Sequence, residues 1–595
     1  MISTPNSKPL SKLFNNLFEI GHFPDIWKIA HITAIYKKTG HKSDKTNYRP
    51  ISLLPTLSKV FESVIHKRLL CHCTDNNIIS ERQAAYLKGD STISQLLYLV
   101  HTIRKAWGER NIAHGIFLDI SAAFDKVWHK GLMAKLRQIN VEDNAYELFQ
   151  SYLCNRKQVV VVEGLKSDTL EVQAGVPQGS RLGPLLFIIY ITDITRDLES
   201  EITIFADDTT LLATGKDPFI TAQQLNRDLI KISDWAKRWK VSFNANKSKD
   251  MIFSNKTLFN SPPTLLDETQ ISRVNTHKHV WLILTSTLDW SPHVNETCLK
   301  ANRKLSVLKS VRWLSRKTLD LLYKITVRSV IDYALPVYFN NLKQTDIARL
   351  TRIQYSAGKL VTGALHNTSI AKVNIELGWE TFQDRAEFLG ITFFHKIHLH
   401  ESRPLIRRYM PEIKEDIHEL RSNGGYKKYE NYGVNFYNSF FPHFSKAWNL
   451  LPNNIRQLNL LDFKQQMSAK YKPKRYKHFS RGSKDGNKLL TRIRLGRSLL
   501  NAHQFSIGAI DNPHCVCTSV ESSAHYTIQC TLYTSQRQTM FGLFEHYIPQ
   551  FRNMTNKQKH EIILYGYKID NDDFFYTNIQ LTLAVQKYII DTKRF

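Results

Sequence analysis

The sequence predicts an α+β fold spread over more than one domain, on three observations. Residues 203–212, Thr-Ile-Phe-Ala-Asp-Asp-Thr-Thr-Leu-Leu, set two β-rich arms around adjacent carboxylates, which reads as a hairpin with acid at its tip. Residues 112–119 form a short apolar run ending in Asp119, after which the period turns helical through Leu132, Leu136 and Ile139. The chain of 595 residues also exceeds one ordinary domain, which favours roughly two to four units, each with its own core.

Composition narrows the partners. The net charge is +28, from 81 Lys+Arg against 53 Asp+Glu, and it is spread along a chain with 25 Tyr, 31 Phe and 10 Trp. Lys and Arg neutralise phosphate and rings stack on bases, so a nucleic acid is the expected partner. No apolar run approaches the roughly 20 residues of a membrane span, so no membrane partner is expected. The amino terminus lacks a basic-then-apolar signal pattern, which points to an intracellular location. Seven Cys are too few and too odd in number for a disulfide framework.

In chain order, Leu13, Leu17 and Ile20 give a helical pattern, and residues 29–36 read as a strand followed by Lys37 and Lys38. A basic loop leads to Asn47-Tyr48-Arg49-Pro50-Ile51-Ser52-Leu53-Leu54. Cations beyond a strand end can hold a triphosphate, with Arg49 able to fork onto phosphate oxygens, or they can be solvated loop charges. Asp119 at a strand's carboxyl end is a metal ligand if a second acid meets it, and otherwise an N-cap or ion-pair residue. Two adjacent acids at 207 and 208 carry a like-charge penalty that a cation such as Mg²⁺ relieves. Between these acids, residues 173–184 space Gly175, Gly179 and Gly183 four apart before the apolar 185–189, so that a backbone or a flat ligand can approach closely.

This array resembles the reverse transcriptase of non-LTR, LINE-type retrotransposons close to jockey. The supporting blocks are 47–54, 117–127, 175–187 and 205–212, in that order and spacing, followed by Asn244-Ala245-Asn246-Lys247-Ser248 and 277–290. The resemblance implies a right-hand polymerase fold. Fingers and palm, the palm with an antiparallel sheet, would occupy 18–285 and a helical thumb 290–400. A connecting region would cover 401–480, and a mainly helical Cys/His nucleic-acid-binding region 485–595. It implies an RNA-directed DNA polymerase that extends a DNA primer or target with dNTPs on an RNA template. Asp119, Asp207 and Asp208 would be catalytic and hold two Mg²⁺ ions. Lys38, Arg49, Phe124, Gln178, Gly179 and Lys247 would contact substrate, with Phe124 against the sugar 2′ position and Lys247 as a proton donor to pyrophosphate or a plain surface lysine. Nuclear residence and the lack of an upstream endonuclease follow from the same comparison.

Near the carboxyl end, Cys515, Cys517, His525 and Cys530 give C-x-C-x7-H-x4-C, which suits one tetrahedral Zn²⁺ in a small knuckle and resembles the terminal Cys/His motif of these elements. His514 is an alternative ligand. Two departures from the family favour an inactive nucleic-acid-binding relic as the competing reading. Trp281 and Ala85 stand where glycine is usual, and Trp does not readily take positive φ, so the hairpin around 277–285 is expected to be distorted. Residues 296–330 read as a basic helical stretch that grips duplex phosphates, 422–425 and 478–487 as linkers, and 439–452 as an aromatic segment that packs internally.

Overall fold

A computed structural model describes residues 4–38, 40–256, 261–401, 404–413, 425–430 and 432–595. The chain divides into two compact units. The first comprises Met1–Asp289, Ile397–Glu415 and Tyr426–Ser445, the second Trp290–Lys396, Asp416–Gly425 and Lys446–Phe595. Of the expected linker at 422–425, residues 422–424 lie outside the described residues. No helix among the described residues is long and apolar enough to cross a membrane.

The first unit carries the strands β1 (Ile29–Tyr36), β2 (Tyr48–Leu53), β3 (Ile112–Leu118), β4 (Arg156–Val162), β5 (Leu165–Lys166), β6 (Leu170–Val172), β7 (Glu201–Phe205), β8 (Asp208–Gly215), β9 (Lys249–Phe253), β10 (Leu265–Leu266), β11 (Thr269–Gln270), β12 (Ser272–Arg273), β13 (Thr276–His279) and β14 (Leu282–Thr285). One sheet runs β2-β1-β4-β5, with β6 on β4. Its edge strand β2 contains Pro50, which an edge tolerates because no partner needs its missing N–H. The other sheet runs β12-β9-β3-β8-β7, and β3 lies antiparallel to both β8 and β9. β3 is buried at every position, as a central strand covered on both faces must be.

Helices cover that second sheet. Thr92–Gly108 buries most of its residues, and Gly183–Ile191 is buried along its length apart from Pro184. The apolar core runs from Phe14 and Phe61 through Leu186 and Ile189 to Leu225 and Leu229. Buried Asp250, 1% exposed, accepts from His114, Thr264 and both arms of Arg273, tying β9, β3 and β12 together. Part of the expected connecting region returns here, where Tyr409, Phe436 and Phe441 pack around His101.

The second unit is helical. Ser291–Ser310, Arg316–Leu322 and Gln344–Thr362 carry its amino-terminal part, and a separate cluster around Leu490, Tyr526, Phe544, Phe551 and Tyr588 forms a core near the carboxyl end. The helical basic stretch is as expected. Residues 478–487 are not a linker: His478 and Phe479 are buried, His478 Nε2 lies 2.8 Å from the Tyr565 carbonyl, and the helix Lys484–Arg494 begins within the segment. The Gly, Ser and Lys that read as a linker in fact form a helix start, with Ser483 capping the Gly486 N–H. Phe440, Phe441 and Phe444 of the first unit and Trp448 of the second are each buried, as the aromatic pattern predicts.

Sequence periodicity misplaces one boundary that matters. The helix after Asp119 begins at His129, not directly after the acid, because residues 121–126 turn tightly with Ala122 at φ +50° and the Asp125 and Lys126 amides both donating to the Ala122 carbonyl. Apolar residues three and four apart occur in such turns as well as in helices, so the period alone does not separate them.

The β13–β14 hairpin corrects the expectation of distortion at Trp281. Its register is regular, from Thr276↔Thr285 to His279↔Leu282, and the two-residue loop Val280-Trp281 takes φ +42° and +66°. Positive φ at both loop residues is the type I′ pattern, which suits the right-handed strand twist. Trp281 therefore occupies the left-handed conformation that glycine would take at lower cost, while its ring stays exposed with the Lys278 ammonium 5.5 Å from its centre. Replacing Trp281 by Gly is expected to strengthen the hairpin by about 0.5–1 kcal/mol, the relief of strain minus the greater freedom of glycine in the unfolded chain. Slower amide hydrogen exchange across 276–285 is the readout; faster exchange would show that the ring contributes more than the strain removes. Ala85 needs no glycine, since the positive φ in that loop belongs to Tyr86.

Candidate active site

The three acids meet at one end of the second sheet. β3 pairs antiparallel with β8 up to Leu118↔Thr209, so one further step sets Asp119 opposite Asp208. β7 and β8 close through Phe205↔Asp208, leaving Ala206-Asp207 as a two-residue turn with Ala206 at φ +57°. The expected acid-tipped hairpin is thus present, and the strand that ends in Asp119 lies beside it.

Asp119 is fixed through its backbone. Its N–H donates to Ser248 Oγ at 3.2 Å, and its carbonyl accepts from the Asn244 N–H at 2.9 Å. Ser248 Oγ in turn donates to the Asn244 carbonyl, so the block 244–248 acts as a clamp on the strand end. Lys247 Nζ stands 4.0 Å from Asp119 Oδ2, the lysine exposed and the aspartate half-buried.

The electrostatics show mutual proximity. Burial, then Asp207, then Asp119 push the Asp208 carboxyl up to about 6. Asp207 is raised by burial and by Asp119, against the charge of Arg49. Asp119 is raised by burial, against Lys247 and Lys37. Adjacent acids, of which Asp119 raises Asp207 and both raise Asp208, form a site that suits a divalent cation.

The other expected residues surround this end. Lys37, not Lys38, is the cation of the β1–β2 turn whose charge acts on Asp119 and Asp125. Its Nζ donates to the Thr46 carbonyl, while Lys38 is exposed at φ +60° with its side chain in solvent. Arg49, on β2 opposite Ile35, is exposed and acts on Asp207. Gln178 Nε2 donates to Asp125 Oδ1 at 2.9 Å, and its carbonyl accepts from the Ser52 amide at 2.8 Å. Phe124 is half-buried, stacked on core residue Phe187 with ring centres 4.7 Å apart.

The glycine spacing has a backbone cause. A Cβ on Gly179, at φ +138°, would stand 2.4 Å from the Ser52 carbonyl oxygen, and one on Gly175, at φ +92°, 2.6 Å from that of Asp125. The close approach anticipated at these glycines is therefore by the protein's own chain, which locks the loop to β2 and to the turn after Asp119. At the loop's end, buried Glu62 accepts from the Arg181 and Leu182 amides, supplying a carboxylate to the start of the helix Gly183–Ile191.

Sequence reasoning named Lys37 beside Lys38 but singled out Lys38 as the contact, and it missed Glu62 and the clamp role of Ser248. A capping acid donated from a distant helix leaves no local pattern, and Lys37 and Lys38 both lie in the turn beyond β1, where no strand alternation separates them.

In the second unit, Cys515, Cys517, His525 and Cys530 bring one ligand atom each within 4.8 Å of all the others. The Sγ atoms of Cys515 and Cys517 lie 3.7 and 3.8 Å from that of Cys530, and Cys517 Sγ lies 3.1 Å from His525 Nε2. Four tetrahedral bonds of about 2.3 Å to sulfur would set sulfurs about 3.8 Å apart, so the donors already outline such a site. His514 is not part of it; its ring is exposed and bonded to Asn512 Oδ1. The three acids of the first unit form a looser group than this cluster.

Residues 35–314 match the family model described as reverse transcriptase (RNA-dependent DNA polymerase). The "Probable RNA-directed DNA polymerase from transposon X-element" of Drosophila melanogaster is 31% identical over 376 residues, 61% of this chain and 41% of that protein. The RNA-directed DNA polymerase from mobile element jockey of the same species is 30% identical over 407 residues, 66% of this chain and 44% of that protein. The chain thus spans less than half the length of these relatives. Among solved structures, apo telomerase from Candida tropicalis aligns at 13% identity with a TM-score of 0.37, over 67% of this chain and 69% of that one. The chain therefore carries a reverse transcriptase domain of the kind found in the jockey, X-element and R1 non-LTR retrotransposons.

Proposed function

We propose that the protein extends a DNA primer 3′-hydroxyl with dNTPs on an RNA template, as the polymerase of a non-LTR element that copies its RNA at a nicked target. The observation that carries this reading is the meeting of Asp119 with the Asp207-Asp208 hairpin at one end of the second sheet, which then serves as palm with β1 and β2 in the fingers. Carboxylates that burial and mutual repulsion leave short of positive charge fit Mg²⁺ by donor type. Two such ions held by Asp119, Asp207 and Asp208 would supply activation of the primer hydroxyl and neutralisation of charge at the transferred phosphate.

The chain's own residues then divide the remaining work. Lys37 and Arg49 face the acids from the fingers strands and hold the triphosphate, with Lys38 further out. In this reading Lys247, beside Asp119, protonates the departing pyrophosphate. Gln178 and Gly179 present the loop backbone to the incoming base pair. Phe124, braced by Phe187, turns its free edge to the sugar and excludes a 2′-hydroxyl. Phe124→Val is expected to raise ribonucleotide use relative to dNTP by about 10- to 100-fold in steady-state incorporation, since a purely steric gate is worth about 1–3 kcal/mol; unchanged discrimination would remove Phe124 from this role. The direct test of the whole reading is extension of oligo(dT) on poly(rA) with Mg²⁺, and a wild-type protein that binds the duplex but does not extend it defeats the proposal.

The Cys/His cluster holds Zn²⁺ in this reading, and its small knuckle contacts RNA or target DNA. Elemental analysis should find one zinc per chain, lost in Cys530→Ser together with thermal stability around residues 515–537; equal zinc in both proteins removes Cys530 as a ligand. The basic helices from residue 291 onward serve as a thumb on the template–primer duplex, and residues 485–595 as a nucleic-acid-binding region.

A further inference from the structure

The loop 80–86 lies alongside the acid hairpin. The Ile204 amide donates to the Arg82 carbonyl and the Ala84 amide to the Ile204 carbonyl, both at 2.9 Å, so the loop makes a short parallel bridge with β7. Between these bonds Gln83 sends its side chain, 1% exposed, to the hairpin tip. Its Oε1 accepts from the Ala206 N–H at 3.1 Å and from the Ala85 N–H at 2.9 Å. Two N–H donors identify the atom between them as oxygen. The Gln83 Nε2 is buried and has no hydrogen-bond partner among the described residues.

Ala206 needs that oxygen. It is buried, it is the first residue of the two-residue turn, and its φ of +57° is one that a Cβ disfavours. The hairpin ladder does not use its N–H, which Gln83 satisfies. Asp207 follows directly, so the plane of the 206–207 peptide sets the direction of the carboxylate.

We infer that Gln83 is a positioning residue for the acid pair: its side-chain oxygen holds the strained turn and so aims Asp207 at the cation site. The inference rests on the polymerase reading for its consequence, but not for its geometry. Because only Oε1 is used, a carboxylate at the same place keeps the function. Because the strain lies at Ala206, a glycine there makes the clamp less necessary.

The test uses the full chain in four forms: wild type, Gln83→Leu, Gln83→Glu and the double variant Gln83→Leu/Ala206→Gly. Mn²⁺ affinity, followed by electron paramagnetic resonance, reads the site without turnover. Oligo(dT) extension on poly(rA) gives kcat and the KM for dTTP. Gln83→Leu should bind Mn²⁺ about tenfold more weakly and lose about 10- to 100-fold in kcat, at unchanged duplex affinity and dTTP KM, since misplacement of about 1 Å is worth that much. Gln83→Glu and the double variant should recover both. Wild-type Mn²⁺ binding in Gln83→Leu overturns the inference. So does a loss that Gln83→Glu and Ala206→Gly leave unrepaired and that tracks a lowered melting temperature. If no form extends primer while the Mn²⁺ ranking holds, the polymerase reading fails and the clamp stands.

Discussion

Asp207→Asn extends primer at least about a thousandfold more slowly than wild type, at unchanged affinity for the RNA–DNA duplex. The substitution keeps the volume and the turn preference of the side chain, and so removes only charge. Phosphoryl transfer leaves the protein little covalent work, so the charge that positions cations and substrate oxygens carries most of the rate. Asp207→Ala should lose as much as Asp207→Asn; a much smaller loss in Asn would mean that shape, not charge, is what the turn supplies. The same change removes a like charge from beside Asp208, whose carboxyl Asp207 helps to raise. Without metal, the melting temperature of Asp207→Asn is therefore expected to equal or exceed that of wild type, while Mg²⁺ raises it less. A variant that is both inactive and less stable without metal would show that the acids hold the fold rather than the chemistry.

The parts of this site that the sequence made legible are those written in local pattern. The strand arms around Asp207-Asp208 and the apolar run ending at Asp119 carry a β signal of their own, and the spacing of the family blocks tied them together. The register that sets Asp119 opposite Asp208 is a long-range fact, inferred from resemblance and not from periodicity. What was illegible depends on single hydrogen bonds between distant segments: Ser248 on Asp119, Glu62 under the glycine loop, Lys37 in place of Lys38. Trp281 was misjudged for a related reason. A rule against positive φ for bulky residues is an energy of about 1–2 kcal/mol, which a regular four-pair hairpin outweighs. At 478–487, polar and glycine-rich composition reads as a loop until Phe479 and His478 are seen to be buried beneath it.

The largest effect on stability is expected at Glu376. Its carboxylate, fully enclosed in the second unit, accepts through Oε1 from Arg316 Nη1 at 2.8 Å, Arg494 Nη1 at 2.6 Å and Thr491 Oγ1 at 3.1 Å. Arg316 also donates to the Glu376 carbonyl, and Arg494 to that of Leu564, with its guanidinium 3.6 Å above the centre of the Phe479 ring. One acid thus joins the helices Arg316–Leu322, Ile370–Leu377 and Lys484–Arg494. Burial alone would raise the Glu376 carboxyl, but Arg494 and Arg316 outweigh it and hold it below the usual glutamate range. Glu376→Gln leaves two buried guanidiniums facing an amide, at a cost of about 3–5 kcal/mol. Urea denaturation followed by circular dichroism should show that loss. The sign with pH follows from the lowered carboxyl: its contribution is complete above the ordinary glutamate range and is lost as pH falls through the folded value, so Glu376→Gln should flatten the acid side of the stability profile. Removing a cation together with the acid separates pairing from packing. Glu376→Gln/Arg494→Met should be less destabilised than Glu376→Gln alone, because one uncompensated charge has gone; a double variant that is worse by the sum of both changes would mean that Arg494 acts mainly through its stacking on Phe479.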